Sequence, residues 1–414
     1  MQRVFFFGGG HADGTAAMRD ILGGKGAGLA EMTNLGVSVP PGFTISAQLC
    51  IEYIKTRRYP PQLRDEVAEA LARVEELTGR TFGGTHRPLL VSVRSGAAVS
   101  MPGMMDTILN LGMNDAVSAA LAAETGNPRF AYDAYRRLVQ MYGDVVLGLK
   151  GSRSPFEALL EKRRRHRGVE RDIELPPEDL RDLVAEFKAA ITEHTGKHFP
   201  EDPTDQLWGA IEAVWRSWLG ERAVAYRLLH HIPENLGTAV SVVAMVFGNI
   251  GEDSGTGVAF TRNPSTGEKT FFGEFLANAQ GEDVVAGIRT PEPIERMAER
   301  MPGAYRELLE TKARLEHHYR DMQDIEFTVE RGKLYLLQTR TAKRTGAAAV
   351  RIAVDMVDEG TISEAEALQR VAPEMIEQLM HPMVDPQASC TVLAHGLPAS
   401  PGAAAGHVVF HAEE

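Results

Sequence analysis

Apolar residues change their spacing several times along this chain, and each change marks an element. A short apolar-rich run at 89–93 has the length and branching of a strand and leads into Arg94-Ser95-Gly96. From 115 to 199 the spacing turns helical, with apolar residues three and four apart over 130–147 and 180–192. Strand-like runs follow at 239–247, 257–261, 270–275, 325–329 and 334–338. The last two flank Glu330-Arg331-Gly332-Lys333, a hairpin turn. Residues 345–378 read as helical again, and Thr361-Ile362-Ser363-Glu364 resembles a helix-capping start. A rigid turn, Leu397-Pro398-Ala399-Ser400-Pro401-Gly402, precedes a short predicted strand at 406–410. No internal repeat or low-complexity tract interrupts this mixed α/β (α+β) pattern.

Phosphoryl chemistry needs cations on the phosphates, a bridging metal and a water-poor cleft. Gly23-Gly24-Lys25-Gly26-Ala27-Gly28 runs into a good helix start. Glycines let backbone approach phosphate oxygens, and a lysine among them adds a mobile charge. The cluster matches neither common nucleotide-loop pattern, so an exposed lysine in a glycine turn explains it equally well. Arg94, in a small Gly/Ser turn, is a guanidinium suited to phosphate or a surface cap on a strand. In the hairpin, alternation puts Asp324, Glu326 and Thr328 on one face, and Gln338 with Arg340 on one face of the return. A carboxylate and an amide oxygen on neighbouring strands suit Mg2+, with substrate phosphates completing its shell. The polar side of an edge hairpin would look the same.

Other candidates carry less. The stretch from Thr261 to Glu268 is a phosphate lid or a hairpin loop. Glu274 and Gln280 lie where a strand ends in polar groups that could bond a ribose or a metal-bound phosphate. Met101, Met104 and Met105 could line an adenine pocket or fill gaps. His230-His231 and His317-His318 are adjacent pairs whose side chains point apart on a helix, which argues against a shared metal. The basic run at 162–167 reads as a solvated helix face in preference to a docking patch.

Composition narrows the class. The 414 residues allow roughly two to four domains, and 43% apolar with 24% charged residues is ordinary globular usage. A formal net charge of −12 disfavours nucleic acid as the partner. Cys50 and Cys390 form no metal or redox motif. The absence of a signal or membrane-length apolar run leads to the expectation of a cytoplasmic protein without membrane contact.

Several motifs in order carry a resemblance. Leu22-Gly23-Gly24-Lys25-Gly26-Ala27, Pro40-Pro41-Gly42-Phe43-Thr44, Val91-Ser92-Val93-Arg94-Ser95-Gly96, Asp324-Ile325-Glu326 and Leu337-Gln338-Thr339-Arg340 resemble the nucleotide-binding domain of the dikinases that make phosphoenolpyruvate. Phe7-Gly8-Gly9-Gly10, residues 101–106 and 260–268, and Asn278-Ala279-Gln280-Gly281-Glu282-Asp283 resemble the pyruvate phosphate dikinases within that group. The resemblance runs from about Phe5 to the last residue, and it implies an ATP-grasp fold whose two lobes clamp ATP. The first lobe would be 1–114 with 200–240, the α-helical insertion 115–199, and the second lobe, with a Mg hairpin, 241–342. A helical linker at 343–395 and the start of a swivelling phosphohistidine domain at 396–414 would follow.

The resemblance implies that Lys25, Arg94 and Arg340 bind phosphates, with Arg94 and Arg340 acting catalytically. Glu326 and Gln338 would hold Mg2+. Met104, Thr261, Glu274, Gln280 and Asp324 would be further cleft residues. It also implies the reaction of ATP, phosphate and pyruvate to AMP, diphosphate and phosphoenolpyruvate. The relay histidine, in a Gly-Met-Thr-Ser-His motif, is not in this sequence, and His407 and His411 do not occupy it. The expectation is a monomeric piece that binds Mg-ATP and needs the phosphohistidine and barrel domains to complete the cycle. A water-using dikinase and a stand-alone nucleotide sensor are the alternatives. One departure is Val243, where the family often has glutamine.

Overall fold

The structure is a computed structural model that describes residues 2–99, 101, 103–149, 151, 154–285, 289–379, 385, 387–394 and 405–409. In chain order come β1 (Val4–Gly8), β2 (His11–Ala12), β3 (Gly42–Ile45), the parallel pair β4 (Thr81–Phe82) and β5 (Pro88–Leu89), then β6 (Val91–Gly96), β7 (Thr107–Leu111) and β8 (Ala239–Ala244). All but β4 and β5 form one sheet in the order β2-β1-β3-β8-β6-β7, with every pair antiparallel. A second antiparallel sheet orders β11 (Glu292–Pro293), β10 (Phe272–Ala277), β9 (Gly255–Phe260), β12 (Gln323–Glu330) and β13 (Lys333–Thr341).

Helix α1 (Arg19–Asn34) lies between the sheets. Its Leu29, Ala30 and Met32 share a core with Val243 of the first sheet and with Phe275, Ile325 and Phe327 of the second. Helices α2 (Ala47–Thr56) and α3 (Leu63–Thr78) cover the other face of the first sheet. The helical insertion holds α4 (Asp115–Thr125), α5 (Pro128–Met141), α6 (Phe156–Arg167) and α7 (Pro177–Thr195), where Phe130, Leu138, Leu183 and Phe187 supply the apolar stripe that the spacing predicts. Arginines of the basic run are taken up by acids of the same insertion, Arg163 by Asp179 and Arg164 by Asp172. Helices α8 (Pro203–Ser217) and α9 (Glu221–Leu229) return the chain to the first sheet.

The second lobe adds α10 (Gly281–Val285), α11 (Met297–Arg300) and α12 (Pro302–Tyr319), and α13 (Gly346–Asp358), α14 (Glu364–Arg370) and α15 (Pro373–Leu379) follow it. Among the described residues no helix is long and apolar enough to cross a membrane.

Several expected boundaries move. The second lobe does not begin at 241, because β8 is an inner strand of the first sheet, paired on both sides and fully buried. The crossover between lobes is 245–254. The strand expected to end before Arg94 continues through it to Gly96. Residues 343–370 are not a free linker. Ala348, Ile352, Met356 and Ile362 share a small core with Met322 and Ala342 of the second lobe. The capping box forms two residues later than expected, between Ser363 and Glu366. Residues 405–409 do not form the strand expected there, and most of 396–414 lies outside the described residues.

Candidate functional site

The glycine cluster folds as a kink. Gly23 has φ 67°, and a Cβ there would lie 1.8 Å from the carbonyl oxygen of Gly96. The Gly24 N–H donates to the Ala97 carbonyl at 2.8 Å. Only glycine allows this approach, and it seats Lys25 against the end of β6, which carries Arg94. The helix resumes at Gly24, so its amino-terminal amides open beside Lys25, an arrangement that favours anions.

Across α1, the hairpin of β12 and β13 turns through Arg331 and Gly332, both at positive φ, which matches the twist of antiparallel strands. Glu326 pairs with Gln338, and Asp324 with Arg340. Val258 of β9 lies between Glu326 and Glu274, so one row across four strands reads Glu274, Val258, Glu326, Gln338. Glu274 shares that face about 10 Å from Glu326, two strand spacings away.

The charges of both lobes act on one another. Burial, then the guanidiniums of Arg94 and Arg340, push the Lys25 ammonium down to about 8, while Glu326 pulls the other way. Burial likewise lowers Arg94, and Glu326 opposes it. The Arg94 Nε is buried with no partner. Arg340 Nε donates to Asp324 Oδ2 at 2.7 Å, and its guanidinium stands 3.9 Å from Glu326. Burial raises the Asp324 carboxyl despite Arg340, and its Oδ1 is left without a donor.

The oxygens present suit a hard divalent cation. Two carboxylates and an amide share one face, and the buried Asp324 oxygen is unsatisfied. Among the described residues no group of three or more His, Cys, Asp or Glu side chains could hold a metal ion. A cation here would therefore take further ligands from a bound phosphate chain.

Not every candidate joins the cleft. Gln280 is buried at its edge, with Nε2 3.3 Å from Asn249 Oδ1 and its own Oε1 unpaired. Met104 is half-buried on the core of the first lobe. Thr261 is fully buried, and its hydroxyl accepts the Gln323 amide at 3.0 Å, a structural duty that leaves no surface for a ligand. The loop after it is no lid. Thr345 caps α13 and donates to the Ser265 carbonyl, which docks the loop on that helix. Sequence reasoning missed Arg137 and Asp283, which meet at 3.2 Å and tie the helical insertion to the Gln280 loop. Asp283 also accepts the Gln280 amide. Asp283 ends the 278–283 motif, but nothing local marks Arg137 as its partner.

A family model described as the pyruvate phosphate dikinase AMP/ATP-binding domain matches residues 19–59, 52–307 and 300–361. The chain belongs to the pyruvate phosphate dikinase family. It is 55% identical to the pyruvate, phosphate dikinase of Rhizobium meliloti (strain 1021), over 99% of this chain and 47% of that protein. Against the Clostridium symbiosum enzyme the identity is 54%, over 97% of this chain and 46% of the relative. Against pyruvate, phosphate dikinase 2 of Zea mays it is 53%, over 100% and 47%. The chain thus spans about half the length of these pyruvate phosphate dikinase relatives, and it matches their amino-terminal part.

Proposed function

We propose that this chain binds Mg-ATP between its two sheets and serves the ATP-using half of the pyruvate phosphate dikinase reaction. The observation that carries the reading is electrostatic. Arg94 lies close enough to Lys25 to lower its ammonium, the Arg94 Nε has no hydrogen-bond partner, and Glu326 of the other lobe acts on both. A triphosphate supplies the missing negative charge. Lys25, Arg94 and Arg340 hold it, and Arg94 and Arg340 stabilise charge as phosphoryl transfer proceeds. Glu326 and Gln338, with Asp324 beside them, are the residues that would hold Mg2+. When bound, the ion neutralises phosphate charge. Glu274, on the face of Glu326, and Gln280, at the edge, complete the cleft, whereas Met104 stays on the core of the first lobe.

In the dikinase reaction that this binding would serve, the β-phosphoryl group of ATP passes to a histidine on a separate swivelling domain, inorganic phosphate takes the γ-phosphoryl group, and pyruvate finally becomes phosphoenolpyruvate. Calorimetric titration tests the binding step. The chain should take up ATP with heat that depends on Mg2+, and Glu326→Ala should lose that dependence. Arg340→Ala should weaken binding by about 1.5–3 kcal/mol, the range for hydrogen bonds to charged groups. Equal titrations with and without Mg2+, unchanged in Glu326→Ala, would remove the reading.

A further inference from the structure

The crossover 245–254 is more than a connection between sheets. Three parts of the cleft are fastened to it. The turn of the hairpin contributes three hydrogen bonds: the Phe247 N–H to Glu330 Oε2 at 2.6 Å, the Gly332 N–H to the Asp253 carbonyl at 2.9 Å, and the Arg331 N–H to Ser254 Oγ at 2.9 Å. The Gln280 loop adds the Ala279 N–H to the Gly248 carbonyl and the Gln280 side chain to Asn249. The helical insertion adds Asn127 Nδ2 to the Ile250 carbonyl and Phe130 edge-on to Phe247. The crossover is itself tied to the first sheet, since the Met245 N–H donates to the Leu90 carbonyl at 2.8 Å.

Among the described residues of this hub, two charged side chains make fastenings: exposed Glu252 accepts from Asn278 Nδ2 at 3.2 Å, and half-buried Glu330 is the one that carries the hairpin. Arg80 lies near it but is held by Glu124 at 3.0 Å, so the carboxylate has no ion pair of its own. Its hydrogen bond is to a backbone amide that cannot move without the first lobe. From Glu330 to Glu326 is four residues of one strand, about 13 Å at the usual rise, within a five-stranded sheet that transmits displacement.

We infer that Glu330 is a positioning residue, whose bond to the Phe247 amide holds the Glu326–Gln338 pair in place opposite Lys25 and Arg94. The inference rests on the reading of Glu326 and Gln338 as the metal-holding pair. Reach distinguishes it from a merely stabilising role. Glu330→Asp keeps the charge but is one methylene too short for the amide, whereas Glu330→Gln drops the charge and keeps an acceptor at full length.

Both variants are made in the 414-residue chain, and ATP binding is titrated against Mg2+ concentration well below the unfolding temperature, which is recorded separately. Glu330→Asp should raise the Mg2+ needed for half-saturation about tenfold, as expected for loss of a charge-assisted hydrogen bond. Glu330→Gln should recover to within about threefold of the parent. An aspartate variant that matches the parent, or a glutamine variant as impaired as the aspartate, overturns the inference while leaving Mg-ATP binding intact. A parent chain without Mg2+-dependent ATP binding removes the functional reading and this inference together.

Discussion

Lys25 carries the clearest consequence at the scale of single residues. Its ammonium is depressed to about 8 by burial and by two neighbouring guanidiniums. The unfolded chain holds that proton to a higher pH than the folded one, so the cost of burying the charged amine is present in full, and independent of pH, below about 8 and is relieved as pH rises from there towards the ordinary lysine value. Binding runs the other way. A triphosphate favours the charged amine, so the empty cleft must take up a proton when it binds nucleotide above about pH 8. Calorimetry in buffers of different ionisation enthalpy should report that uptake at pH 8.5, and Lys25→Met should abolish it. The sequence alone left Lys25 and the hairpin oxygens open to a structural reading, and only the resemblance of several motifs in order singled them out. Thr261 was not legible. Its hydroxyl looks like a ligand until the burial of the strand end shows that it satisfies the Gln323 amide.

The kinked helix and the hairpin are the elements that make the cleft. The alternation of Asp324, Glu326 and Thr328 survived into the structure because β12 lies between β9 and β13 with one face on the apolar core, which fixes the register. The length of α1 did not survive intact. The sequence suggests a turn and then a helix, whereas the helix begins at Arg19 and breaks at Gly23. That break answers to a carbonyl on β6, over 70 residues away, which no local pattern records. Gly23→Ala should therefore be costly. The left-handed backbone alone costs about 1–2 kcal/mol for an L-residue, and the contact with Gly96 adds to it. Urea unfolding should show the loss. A variant that folds should bind ATP more weakly, since Lys25 shifts with the kink.

Across the whole molecule the lobes are joined more firmly than a two-domain reading of the sequence implies. The core around α1 takes residues from both sheets, and Arg262 pins the carboxy-terminal helices to the second lobe. Arg262 is fully buried between Glu316 at 2.9 Å and Glu359 at 2.7 Å. Arg262→Ala leaves Glu316 without its ion pair and Glu359 with Lys269 alone, and should cost about 3 kcal/mol in urea unfolding, with new protease cleavage near residue 343. The long-range pairs that make this frame, Arg262 with Glu359 and Arg137 with Asp283, span about a hundred residues or more of chain, so sequence spacing could not reveal them. At this scale one claim governs the rest: cations of the early loops and oxygens of the late hairpin meet on a single metal-bound triphosphate. Mn2+ in place of Mg2+ reads that meeting. With ATP present, electron–nuclear resonance of the 414-residue chain should show phosphorus coupled to the bound Mn2+, and the coupling should vanish in Glu326→Ala. Retention of the same phosphorus coupling in that variant, or Mn2+ bound without phosphorus beside it, would contradict the assignment.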